Sequence, residues 1–441
     1  MNRYPAYKYS EIEWLGEIPE HWTVKRLRHI SPFITVGVVV SPSSYVTDYG
    51  VPFLFGSEIT DRGINIQKSR RIPQEISDSE LRKTRLEAGD LVTVRVGYPG
   101  MTAVVPPELE GANCASIMLV RKSNTFDSFW LCYAMNSRVG RYQVEQVQYG
   151  AAQKQFNISH AVNFMFPVPP LSEQRAIAQY LDRQTAKIDA LITAKQRLLK
   201  LLTEKRRALI THAVTRGLNP DAPLRRSGIE FVEKIPEHWK VINLKFLGEV
   251  RTGVAKGRDL GNRETVHVPY LRVANVQDGY IDLSDVADIQ VLPEEISSFS
   301  LRKGDVLMNE GGDADKLGRG AVWDGSIDPC LHQNHVFAVR CHSIEPDWLT
   351  TVTGSDYAKA YFESRSKQST NLASISATNI REFPVVVPPQ QEQKDIIEYL
   401  EQTISKLDEL QAITKNIIEL LYESRVALVS AAVTGKVHVP A

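Results

Sequence analysis

Apolar residues recur along 169–215 in a narrow stripe: Ile177, Leu181, Ile188, Leu191, Leu198, Leu202 and Leu209. Steps of three, four and seven are those of a helix with one buried seam, the coiled-coil pattern. The run opens with Pro169-Pro170-Leu171-Ser172-Glu173-Gln174. Two prolines hold the chain extended before a helix, Ser172 is suited to cap it, and Glu173 to face the positive end of its dipole. From Ser172 to Val214 such a helix would extend roughly 64 Å at 1.5 Å per residue, too long for the filling of a compact domain.

The pattern returns. Pro388-Pro389-Gln390-Gln391-Glu392-Gln393 opens a second run whose stripe is Ile396, Leu400, Leu407, Leu410, Ile417, Leu421 and Leu428, each 219 positions after its counterpart, from 177 to 396 through 209 to 428. Polar interruptions repeat as well: Gln184, Lys195 and Lys205 match Thr403, Thr414 and Ser424 and are candidates to fix the register of pairing. Both runs finish alike, Ala213-Val214-Thr215 and Ala432-Val433-Thr434.

Before each long helix the pattern is mixed and mostly strand-like. Ile18-Pro19-Glu20-His21-Trp22 recurs unchanged at Ile235-Pro236-Glu237-His238-Trp239. A rigid proline turn leading to a tryptophan suits a segment pinned to a core, so His21 and His238 read as structural. Val51–Leu54 corresponds to Val268–Leu271, 63–66 to 279–282, and 86–92 to 301–307. Gly89-Asp90 and Gly304-Asp305 are turns feeding strands. Strands are also expected at 116–120 and 336–340, and weaker helices at 128–136 and 347–356. The halves match poorly at 36–50 against 253–266, 93–111 against 308–328 and 141–155 against 359–373. Residues 216–226, polar with Gly and Pro, read as a linker. The fold class expected is α+β: two mixed α/β domains at 1–165 and 218–382, joined by two long antiparallel helices at 166–217 and 383–441, in an internal pseudo-two-fold repeat.

Composition narrows the function. At 441 residues the chain holds more than one domain, and 43% hydrophobic with 24% charged content is that of a globular protein. The formal net charge is zero, so any nucleic-acid affinity must come from local basic groups. No stretch is apolar enough to span a membrane, and neither a signal peptide nor a CxxC pair is present, which points to a reducing, cytoplasmic setting without membrane contact. Phosphate-loop, dinucleotide and nucleophile-elbow motifs are missing, so no catalytic residue is assigned. Cys330, His332, His335, Cys341 and His342 crowd together, but strand alternation puts His332 and His335 on opposite faces, and no metal is expected there.

Groups suited to nucleic acid fall mostly in the stretches where the halves differ. In the first half these are Arg70, Arg71, Arg95, Tyr98, Gln153, Lys154 and Gln155. In the second they are Lys256, Arg258, Arg272, Asn275, Lys316, Arg319, Gln333 and Asn334. Arg and Lys suit phosphates and guanine edges, and Asn and Gln suit adenine.

The duplicated Ile-Pro-Glu-His-Trp block, the Pro-Pro-x-x-Glu-Gln helix start and the Ala-Val-Thr helix end resemble the specificity (S) subunits of type I restriction-modification enzymes, over nearly the whole chain. That resemblance implies a non-catalytic subunit with two target recognition domains reading an asymmetric, two-part sequence in double-stranded DNA. It implies two modification (methyltransferase) subunits and restriction (motor–nuclease) subunits as partners. S-adenosylmethionine, ATP and Mg²⁺ would belong to those partners, and this chain would hold no cofactor. The alternatives are a coiled-coil adaptor that bridges two proteins without reading DNA, and an enzyme built on the Cys/His cluster.

Overall fold

A computed structural model describes residues 3–31, 33–61, 63–149, 154–312, 317–368 and 373–440. The chain forms two compact units, Met1–Lys195 with Asn416–Ala441, and Gln196–Lys415. Each unit contains one end of both long helices, Leu171–Arg216 and Gln390–Val433. The helices are therefore shared between the units rather than set apart at 166–217 and 383–441.

In the first unit, a four-stranded antiparallel sheet runs in the order Thr102–Val104, Leu91–Val94, Ile117–Val120, Ile34–Val36. Leu91–Val94 and Ile117–Val120 are buried along their whole length, because side chains pack on both faces of the sheet. Thr93 lies in this core and is satisfied by the Thr102 hydroxyl at 2.9 Å. A second sheet places Val51–Leu54 between Arg70–Ile72, antiparallel, and Asn113–Cys114, parallel. Thr23–Arg26 pairs with Met165–Val168 and leads the chain to the first long helix.

The second unit has the same topology. Its four-stranded sheet runs Gly320–Val322, Val306–Asn309, Val336–Cys341, Gly248–Thr252. Val266–Leu271 lies between Ala287–Val291, antiparallel, and Leu331–His332, parallel. Lys240–Asn243 pairs with Pro384–Val387 before the second long helix. In both units the Gly-Asp turn supplies a buried carboxylate. Arg121 Nη1 reaches Asp90 at 2.7 Å, and Arg340 bonds Asp305 through Nε and Nη2 at 2.9 and 2.8 Å. Leu224–Arg226, the end of the expected linker, belongs to a strand, Leu224–Ile229, paired with Val232–Pro236.

The repeated motifs meet. In the first unit Trp22 is fully buried, and its Nε1–H donates to Glu173 Oε2 at 3.0 Å, while His21 Nε2 lies 2.6 Å from Glu173 Oε1. Gly435, just past the end of the second long helix, packs on Pro19 and Trp22. In the second unit Trp239 donates to Glu392 at 3.0 Å, His238 Nε2 lies 2.8 Å from the same carboxylate, and Gly217 packs on Trp239. One tryptophan thus holds the start of one helix and the end of the other, which makes the helices antiparallel within each unit. Arg425 with Asp189 (3.2 Å) in the first unit and Arg206 with Asp408 (3.7 Å) in the second bridge the helices.

Three details differ from the pattern in the sequence. Ser172 does not cap: the first helix already begins at Leu171, and Gln174 Nε2 donates to the Pro169 carbonyl at 2.9 Å. Leu191 and Leu198 face solvent, and Ile192, with none of its surface exposed, takes the seam where Leu191 is 51% exposed. Leu410 is likewise 50% exposed, with Leu407 and Thr414 buried on either side. A straight helix turns 3.6 residues at a time, so a strict seven-residue stripe drifts by ~20° per heptad and the seam passes to the neighbouring position. The other stripe residues, Ile177, Leu181, Ile188, Leu202, Leu209, Ile396, Leu400, Leu407, Ile417, Leu421 and Leu428, are buried or half-buried.

Candidate nucleic-acid interface

Two stretches of the first unit that are remote in sequence come together beside its main sheet. Val96 and Gln155 form an antiparallel bridge, and Gln155 also pairs with Tyr149 through two backbone hydrogen bonds of 2.8 Å. The Gly97 N–H donates to the Lys154 carbonyl at 2.9 Å, and the Phe156 N–H to the Arg95 carbonyl at 3.2 Å. This narrow ribbon brings Arg95, Tyr98, Lys154 and Gln155 together.

Arg95 is half-buried; its Nε–H donates to the Phe156 carbonyl at 3.2 Å, and burial lowers its pKa. Tyr149, on the outer rung of the ribbon, donates its hydroxyl to Asn157 at 3.1 Å. Tyr98 is 85% exposed. It lies between Gly97 (φ +90) and Gly100 (φ +94), left-handed positions that suit glycine and turn the loop outward. Gln153 lies outside the described residues.

Arg70 and Arg71 occupy the edge strand of the neighbouring three-stranded sheet, where both are exposed. The Arg70 guanidinium stacks 4.4 Å from the Phe55 ring centre, and Arg71 Nη1 donates to the Gly50 carbonyl at 2.7 Å. Phe55 leads into Gly56, which packs against Val94 and the Val96 carbonyl, so this edge adjoins the ribbon.

The second unit builds the same ribbon from unlike residues. Gly311–Gly312 pairs with Ala373–Ser374, which pairs with Lys367–Gln368. Nearby, the Val254 N–H bonds the His332 carbonyl and the Asn334 N–H bonds the Val254 carbonyl, which places Gln333 and Asn334 under the loop carrying Lys256 and Arg258. Lys256 is exposed; Arg258 makes a bidentate pair with Glu295 at 2.7 and 2.9 Å, and that guanidinium pulls the Glu295 carboxyl down to about 2.

Two expected contacts of this unit serve the fold. Asn275 is buried: its Oδ1 accepts from the Arg272 N–H, and its amide donates to the Asp282 and Asp285 carbonyls. A side chain so saturated closes a loop and has nothing left for a base. Arg272 itself bonds Asp285. Arg319 is half-buried, and Lys316 lies outside the described residues.

The Cys/His cluster is dispersed. His332 is buried against the Val336 carbonyl at 2.6 Å, and burial lowers its pKa to about 4. His335 is exposed, 2.7 Å from Glu310. Burial raises the Cys330 and Cys341 thiols to about 12, so both stay protonated.

Phe55 and Tyr149 escaped the sequence reading. An aromatic next to an expected strand reads as core, and only the fold shows that Phe55 supports Arg70 and that Tyr149 pairs with Gln155.

Residues 236–420 match the family described as type I restriction modification DNA specificity domain. The EcoKI specificity subunit of Escherichia coli K12 is 21% identical over 96% of this chain and 90% of its own length. The MjaVIII specificity subunit of Methanocaldococcus jannaschii is 23% identical over 100% of this chain and 98% of its own. A chain solved in work on assembly and conformational transition of the type I R-M system superposes with a TM-score of 0.72 at 18% identity, over 95% of this chain and 99% of that one, and so shares the fold.

Proposed function

We infer, from this chain's similarity to type I restriction-modification specificity subunits, that each of its two units reads one half of a split double-stranded DNA target. The chain is a non-catalytic DNA-recognition subunit. The observation that carries the two-part reading is a scaffold repeated strand for strand, with ribbons and loops whose side chains differ. Equal scaffolds with unlike reading surfaces suit an asymmetric target.

The paired helices set the unread spacer between half-sites. Two modest half-site contacts become one tight event when the second is intramolecular. Two modification subunits dock on this chain, with restriction subunits joining them, and S-adenosylmethionine, ATP and Mg²⁺ act in those partners. The helices' outward apolar side chains, among them Leu201, Ile413 and Leu420, are suited to that docking.

Methylome sequencing of cells carrying this chain with its cognate methyltransferase tests the reading. A two-part asymmetric motif is expected. Removing one heptad from each long helix should change the spacer and leave both half-sites intact. Altered half-sites would refute the spacer role. A complex with no sequence preference would favour the adaptor alternative.

A further inference from the structure

We propose that the three-strand ribbon of the first unit is its base-reading element, with Tyr98, Lys154 and Gln155 contacting base edges in the major groove and Arg95, fixed by the Phe156 carbonyl, as a phosphate anchor. This rests on the DNA-recognition reading above and assigns it to specific residues.

Four observations point to the ribbon. Its backbone pairing occurs in both units although the sequences there are unlike: Val96, Gln155 and Tyr149 in one, Gly311, Ser374 and Lys367 in the other. A backbone ladder that keeps its form while its side chains change is what a reading element needs, because register stays fixed while the donor and acceptor pattern varies. Second, the fold leaves Tyr98 largely uncovered. A large aromatic 85% exposed on a glycine-flanked loop is not held by core packing. Third, the side chains of Tyr98, Lys154 and Gln155 make no hydrogen bond among the described residues, whereas the expected contact Asn275 is saturated within its own loop. Free donors and acceptors cost nothing to present to a ligand. Fourth, Arg95 uses Nε on the Phe156 carbonyl, which fixes the guanidinium plane and leaves its terminal nitrogens for an anion.

Shape agrees. A narrow β-ribbon enters the major groove of B-DNA, which is ~12 Å wide. A glutamine there makes paired hydrogen bonds with the N6 and N7 edge of adenine. The Arg70–Phe55 edge adjoins the ribbon and is suited to the flanking phosphates.

The test uses the full chain in complex with its methyltransferase, and reads the methylome motif and binding to DNA libraries randomised in one half-site. Gln155→Ala and Tyr98→Ala should each relax preference at one or two positions of one half-site. The preferred base should lose roughly 5- to 150-fold of its advantage. The other half-site should stay unchanged and so report that the subunit is folded and assembled. Arg95→Gln should weaken binding to all sequences alike and flatten the salt dependence. If Gln155→Ala and Tyr98→Ala leave both half-sites unchanged, or weaken binding evenly across sequences, the ribbon is not the reading element, while a surviving two-part wild-type motif keeps the DNA-recognition reading. Absence of any motif with the wild-type complex overturns that reading itself. Gln155→Glu, nearly isosteric, guards against a folding artefact and should shift preference away from adenine.

Discussion

Gly435→Ala is the sharpest probe of how the helix ends are held. Gly435 has φ +72 and closes the second long helix, with the Lys436 N–H returning to the Ala431 carbonyl at 2.9 Å. A methyl group there would meet Pro19 Cδ at 2.3 Å and Cγ at 2.4 Å, with Trp22 Cη2 at 3.2 Å. Gly16, in the same unit, has φ +69 and nothing within 4 Å of the added carbon. Both alanines bear the left-handed cost of roughly 1–2 kcal/mol, partly offset by a stiffer unfolded chain, for a net of about 1 kcal/mol. Only Gly435→Ala adds overpacking. Pro19 belongs to the rigid Ile-Pro-Glu-His-Trp block and has to move by about an ångström, at roughly 1–3 kcal/mol more. Gly217→Ala in the second unit should fall between, since its nearest contact, Trp239 Cζ2 at 3.1 Å, needs a shift of only a few tenths of an ångström. The expected losses are about 1 kcal/mol for Gly16, about 1–2 for Gly217 and about 2–4 for Gly435. Urea melts followed by tryptophan fluorescence, compared at equal m-values, measure the order. Equal losses for Gly435→Ala and Gly16→Ala would refute the claim that the helix end is wedged against the tryptophan block.

The buried ion pair gives a second contrast. Asp305→Ala strands Arg340 and should cost about 3–5 kcal/mol, whereas breaking the exposed Arg85–Asp78 pair with Arg85→Ala should cost under ~1 kcal/mol; chemical denaturation checks both. His332 titrates at about 4 when folded, below its ordinary value of 6.5. Between those values the unfolded chain binds the extra proton, so stability is full above pH 6.5 and falls as pH drops toward 4, by about 3 kcal/mol at most. His332→Gln should flatten that part of the stability–pH curve; an unchanged slope would show that another group carries it.

The sequence by itself determined the repeat, both long helices and most central strands. These are periodic features: apolar spacing is local, and a copy 219 positions on repeats it. It also singled out the helix starts, the helix ends and the Ile-Pro-Glu-His-Trp block as separate motifs. Only tertiary structure decided that all three meet at Trp22 and again at Trp239, because Glu173 lies 151 positions from the tryptophan it binds. The seam residues followed the same division. The stripe marked the right face, but the drift of a 3.6-residue helix moved Leu191, Leu198 and Leu410 out to solvent. The candidate interface was the least legible. Tyr149 and Gln155 in one unit, and Lys367 and Ser374 in the other, lie among unlike residues yet pair in the same way, since backbone hydrogen bonds are indifferent to side-chain identity. That indifference hides the ribbon from a sequence comparison, and it leaves the side chains free to differ.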